Sequence, residues 1–215
     1  MPPAIRGVGR ATEPERRSRE QRTSDSRARI LDAAVGCLVE SGYAGTTTLT
    51  IQARAGVSRG RLLHHFPSKE TLLVAAAQHI ATSRFASDGL SAADLPDSAT
   101  HPVERLDRAV EVMWSTYQQP YFWASVELWT AARTDPALAA ALLPAERRLG
   151  AAIKQTVDAV FDAFTEAPLY PVVRETLLTS MRGVALTYGF DPRDPVTDPH
   201  LDQWKQLAHT LLSPR

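Results

Sequence analysis

The stretch from Thr47 to His65 constrains this chain more than any other, because it holds two helical segments too short to stand alone, joined by Ala55-Gly56-Val57. Isolated helices below about a dozen residues are marginal in water, so both must be held by tertiary packing. Thr47 is placed to cap the first, which the pattern ends at Ala55, and Gly56 supplies the positive φ of a sharp turn. Ser58 caps the second, which reaches about His65 before Pro67 stops it. Two short helices crossing steeply at a glycine turn, with Ile51, Val57 and Leu62 placed to hold the angle, spell a helix-turn-helix. Its second helix keeps Arg59, Gly60, Arg61 and His64 exposed. Two arginines beside a glycine let a helix approach base edges closely and offer bidentate donors to guanine.

The flanks agree with that reading. Ile30, Ala33, Ala34, Cys37 and Leu38 follow the spacing of one helical face and predict a first helix over about 26–41, with Gly42 suited to the left-handed position after its last turn. Ser68 caps a fourth helix to about Ser87. Residues 1–24, with six arginines among Pro, Gly, Ser and Glu, read as a flexible basic tail, either solvated or following a DNA backbone. The formal net charge of zero hides a segregation: residues 1–70 carry 12 Arg and Lys against 7 Asp and Glu, and residues 71–215 carry 12 against 17. Only the front of the chain is electrostatically suited to phosphates.

The stretch from Arg29-Ile30-Leu31 through Ala33-Ala34, Glu40, Gly42-Tyr43, Thr46-Thr47, Ile51, Ala55-Gly56-Val57-Ser58, Gly60, Leu62 and His65-Phe66-Pro67-Ser68-Lys69-Glu70 to Leu72 strongly resembles the TetR family of bacterial regulators. The resemblance implies an all-α chain, with a three-helix DNA-binding domain at about 25–70 and a helical ligand-binding and dimerisation domain over 71–215. It further implies that Thr47, Ser58, His64 and Lys69 meet the DNA backbone and that Arg59, Gly60 and Arg61 read bases. Two positions depart from the family pattern: Leu63 stands where a tyrosine is usual, and Gln52 replaces a small alanine.

Beyond residue 88, a loop rich in Asp, Ser, Ala and Pro leads to helices expected over 103–118, 120–134, 137–166, 169–189 and 197–212. Six of the 15 aromatics fall within sixteen residues: Trp114, Tyr117, Tyr121, Phe122, Trp123 and Trp129. Apolar bulk with a polar atom suits a cavity for an apolar or aromatic effector. Its expected lining is Trp114, Tyr117, Tyr121, Trp123 and Trp129, with Met113, Met181, Phe161, Glu127 and Arg133 as weaker members. Leu177, Met181, Val184, Ala185 and Tyr188 form one stripe, and Trp204, Leu207, Ala208 and Leu211 another. One domain could bury both internally, whereas the resemblance implies a homodimer interface. The fourth helix is the only sequence element joining the two parts, so it is expected to carry the signal between them.

Other classes find little support. No zinc-protease histidine pair, phosphate loop, nucleophile elbow or dinucleotide fingerprint is present, so neither an enzyme nor a cofactor or metal site is expected. Cys37 cannot form an intrachain disulfide and sits in an apolar register. No apolar run approaches the roughly 18 residues of a membrane span, and a cytoplasmic location is expected. An architectural DNA-binding protein without a ligand is the alternative.

Overall fold

The computed structural model describes residues 13–87 and 95–212, with side chains at 21–79 and 95–212. Its described residues form nine α-helices, one 3-10 turn and no strand. The helices are α1 (Glu13–Gly45), α2 (Thr48–Ala55), α3 (Arg59–His65), α4 (Lys69–Ser87), α5 (Pro102–Thr116), α6 (Pro120–Ala132), α7 (Pro136–Phe161), α8 (Tyr170–Thr187) and α9 (Pro199–Leu212).

Helix α1 begins at Glu13 instead of near 26, so residues 13–24, expected as tail, are helical. That segment is rich in Arg, Glu and Gln, which favour helix without any apolar periodicity, and its glutamates suit a helix start. The arginines of residues 1–12 lie outside the described residues. At the other end Gly42, at φ 64 and ψ −179, breaks the regular helix where the apolar pattern stops. A residue with a Cβ is strained at that φ.

The expected 137–166 helix ends at Phe161 and gives way to a 3-10 turn over Asp162–Glu166. Buried Arg105 stabilises this break by donating to the carbonyls of Val160 (2.9 Å), Ala159 (3.3 Å) and Pro96 (3.0 Å). The Val160 and Ala159 carbonyls belong to the last turn of α7, where a helix leaves such groups without helical partners, and the guanidinium fork satisfies both while tying the turn to Pro96.

Three buried clusters order the packing. Ile30, Ala34, Ile51, Leu62, Phe66 and Leu72 hold α1–α4 together, with Cys37 among them. A larger core gathers α5 and α7–α9 around Met113, Trp114, Phe161, Leu177, Met181 and Trp204. Between them, Leu38, Leu73, Ala77, Ala124, Leu128 and Leu142 join α1, α4, α6 and α7. Helix α4 thus serves both units: Leu72 and Ala76 face the first core, and Leu73 and Ala77 the junction.

The stripes on α8 and α9 resolve into inner and outer faces. Leu177, Met181, Ala185, Trp204 and Ala208 are buried within the chain itself. The outward face of α8 carries Val172, Thr176, Gly183 and Leu186 instead, continued by Phe190, which is 81% exposed. Among the described residues, no helix is long and apolar enough to cross a membrane.

Candidate functional site

At the reading head, the local chemistry of the sequence sets the geometry. Thr47 and Thr50 cap α2 reciprocally: the amide of Thr50 donates to Thr47 Oγ1 (3.1 Å) and that of Thr47 to Thr50 Oγ1 (2.9 Å). Gly56, at φ 61 and ψ 40, turns the chain, and Ser58 Oγ accepts the amide of Arg61 (3.2 Å) to open α3. Because Leu62 is buried beside Ile51 and Ala55, the rest of α3 turns outward. Arg59, Gly60, Arg61, Leu63 and His64 are all exposed. Among the described residues, the guanidiniums of Arg59 and Arg61 have no hydrogen-bond or ion-pair partner. A Cβ on Gly60 would meet nothing within 4 Å, so the protein leaves that surface open.

Two neighbours are committed within the chain. His65 Nε2 lies 3.3 Å from Ser26 Oγ, and burial, with the charges of His64, Arg61 and Arg27 nearby, lowers its pKa. Lys69 Nζ sits 4.1 Å over the Tyr43 ring and donates to the Tyr43 carbonyl (3.4 Å). Burial depresses its pKa, and the ammonium ties the start of α4 to the end of α1.

A cavity of about 360 Å³ opens between α5, α6, α7 and α8. Tyr117, Tyr121, Phe122 and Trp129 line one side, and Leu149, Ile153, Val157 and Leu178 face them. Of the five aromatics expected there, Trp114 and Trp123 lie elsewhere. Trp114 donates its indole N–H to the Pro195 carbonyl (2.9 Å) and packs 4.9 Å from Trp204, inside the α5–α9 core. Trp123 follows Phe122 by one residue, about 100° around the helix. It therefore lies against Gly189, whose Cβ would stand 2.9 Å from the ring. Of the weaker members, Met113 reaches the cavity; Phe161 and Met181 are core, and Arg133 caps α6.

The cavity's hydroxyls are largely turned onto backbone. Tyr117 Oη donates to the Leu178 carbonyl (2.9 Å), Ser125 Oγ to Tyr121 and Thr179 Oγ1 to Glu175. What remains is aromatic and aliphatic surface with charges at the margin. Lys154 pairs with Glu175 at 2.8 Å, and the Arg182 guanidinium lies 5.5 Å from the Trp129 ring centre. These α7 and α8 residues were missed in the sequence. On long amphipathic helices a cavity-facing residue follows the same periodicity as a core residue.

Glu127, expected as a weak cavity member, has a different position: its Oε2 accepts the amide of Tyr43 (2.8 Å), across the junction of the two units. A Cβ on Gly42 would stand 3.0 Å from that oxygen. Helix α6 therefore presents Tyr121, Phe122 and Trp129 to the cavity while Glu127 holds the end of α1. The connection expected from α4 alone runs through α6 as well.

Comparison with known proteins extends the local reading. Residues 30–76 match the family described as bacterial regulatory proteins, tetR family. The HTH-type transcriptional regulator CymR of Pseudomonas putida is 34% identical over 125 residues, 58% of this chain and 60% of that protein. The HTH-type transcriptional repressor AcnR of Corynebacterium glutamicum is 33% identical over 135 residues, 61% of this chain and 63% of the relative. The chain thus spans about three-fifths of the length of these curated relatives. The solved structure of the multidrug binding protein EbrR, complexed with imidazole, shares the fold with a TM-score of 0.58 at 20% identity, covering 88% of this chain and 96% of that one. Residues 30–76, which hold the capped helix-turn-helix, thus match the TetR family of bacterial regulators, and beyond them the chain is similar to HTH-type transcriptional regulators over about three-fifths of its length.

Proposed function

We propose that the protein is a repressor that binds a pseudo-palindromic operator as a homodimer and leaves it when an apolar or aromatic effector fills the cavity. The single observation that carries this is the double role of α6: one helix walls the cavity and also holds the amide of Tyr43 at the end of α1. An effector that displaces α6 moves the helix on which the reading head is built. Arg59 and Arg61 serve as base or phosphate donors, Gly60 allows close approach, and Thr47, Ser58 and His64 flank the backbone. Lys69 reaches a phosphate only by giving up its place on Tyr43.

Dimerisation supplies what one short recognition helix lacks, since a few base pairs give low specificity. The seam that fits is the outer face of α8, where Val172 and Leu186 are 59% and 41% exposed. A charge at Leu186 is expected to yield a monomer with weak operator binding, read by light scattering and gel shift. Leu177 is 0% exposed and belongs to the chain's own core, so a charge there would unfold the domain and say nothing about the seam.

Release by a hundredfold requires the effector to favour the non-binding state by about 2.7 kcal/mol. Reciprocity makes the test direct. Trp129 lies in the cavity wall, so its fluorescence can report the affinity of aromatic compounds with and without a duplex selected by the protein from a random pool. Effector binding weakened by the duplex supports the switch. Equal affinities for every compound that enters the cavity would overturn it and leave operator binding untouched.

A further inference from the structure

The geometry points to a second DNA contact built by α1: Arg22 and Arg29, together with Arg61 of α3, form a clamp for a phosphate of the DNA backbone. This rests on the operator-binding reading above and extends it to a helix that the motif does not include. A cleft of about 620 Å³ lies between α1 and the turn of the helix-turn-helix, bounded by Arg22, Asp25 and Arg29 on one side and by Gly56, Ser58 and Arg61 on the other. Residues seven apart lie two helical turns apart on one face, about 10 Å along the axis, so Arg22 and Arg29 address the same cleft. Ser26, between them, is buried against His65 and fixes which face of α1 turns this way.

Charge selects the occupant. Three guanidiniums share the cleft with one carboxylate, Asp25, which already accepts the Gln21 amide (3.0 Å). Arg29 and Arg61 are exposed, and among the described residues their guanidiniums have no hydrogen-bond or ion-pair partner. The like charges of Arg29 and Arg61 repel across the cleft until an anion enters, and guanidiniums match phosphate oxygens with strong, directional hydrogen bonds. The cleft is also continuous with the reading surface, because Arg61 borders the cleft and belongs to α3. A duplex seated on α3 carries its sugar-phosphate strand past α1, which makes a backbone phosphate the occupant. Such contacts fix register and orientation and carry no sequence information.

The test uses the full chain, a duplex selected by the wild type from a random pool, and a scrambled duplex of the same composition, titrated from low to high salt. In Arg29→Gln the slope of log affinity against log salt is expected to fall by about 0.9 for each phosphate that the protein no longer neutralises. Affinity for both duplexes should fall in the same proportion, Arg22→Gln should act in the same sense, and Arg29→Lys should restore most of the slope. Unfolding midpoints equal to wild type separate this from misfolding. A wild-type slope in the double variant Arg22→Gln with Arg29→Gln overturns the clamp, and so does a change in base preference, which would make these arginines readers. Saturation of the cleft by inorganic phosphate with no change in the DNA slope assigns it to free anion and likewise overturns it. A wild-type chain that selects no duplex removes the operator reading, and the clamp with it.

Discussion

The helix-turn-helix exposes Arg59, Arg61 and His64 within the seven residues of α3, whereas the cavity draws its wall from four helices between Met113 and Arg182. In the first region, function follows from local chemistry: a cap, a left-handed glycine and one buried leucine decide which side chains turn outward. In the second, no segment owns the site, and a residue's role depends on which helix lies opposite. Trp114, in the last turn of α5, and Tyr117, at its C-cap, are three residues apart, yet one packs on Trp204 and the other faces the cavity. A local site fails when one side chain is removed. A distributed site also fails when its helices shift.

The largest expected effect breaks the junction that the two regions share. Leu128, fully buried between α1, α4 and α6, should cost about 2–5 kcal/mol as Leu128→Ala, read as a lower urea midpoint. Two separate unfolding transitions would show that the regions hold apart without it. Next comes Arg61→Ala, expected to weaken operator binding by about 1–3 kcal/mol per half-site with no change in stability. Unchanged operator affinity in both Arg59→Ala and Arg61→Ala would remove α3 as the reader.

A smaller effect sharpens the contrast within the aromatic cluster. Trp129→Ala should weaken binding of aromatic compounds about tenfold, or about 1.4 kcal/mol. Trp123→Phe should leave that binding unchanged, because its ring lies outside the cavity. Equal losses in both would mean that the wall is assigned to the wrong residues. The smallest stability change belongs to Glu127→Gln, which keeps an acceptor for the Tyr43 amide and loses only its charge, well under about 1.5 kcal/mol. Even so, operator release by an effector should weaken several-fold. Full release in this variant would put the coupling on α4 alone.

The helical character of the chain and most helix positions were legible because proline, glycine and capping residues act on their immediate neighbours. Thr47, Gly56 and Ser58 have the same roles in the structure as in the sequence. The start of α1 was misread for a related reason: apolar periodicity marks a helix that packs, and residues 13–24 form helix by propensity. The cavity was legible only as an excess of aromatic residues. Nothing local distinguishes a tryptophan that lines a space from one that fills it, and the charged margin on α7 and α8 left no mark at all.

By itself, then, the sequence determined the elements whose causes lie within a few residues: the turn, the caps, the exposed face of α3 and the all-helical build. The tertiary structure alone decided that Glu127 reaches Tyr43, that Leu177 is core while Leu186 is surface, and that Arg22 and Arg29 line one cleft with Arg61. The Glu127 contact joins residues 84 apart in the chain. Such contacts exist only after loop closure and burial have fixed the relative placement of helices, and those are properties of the whole packed core.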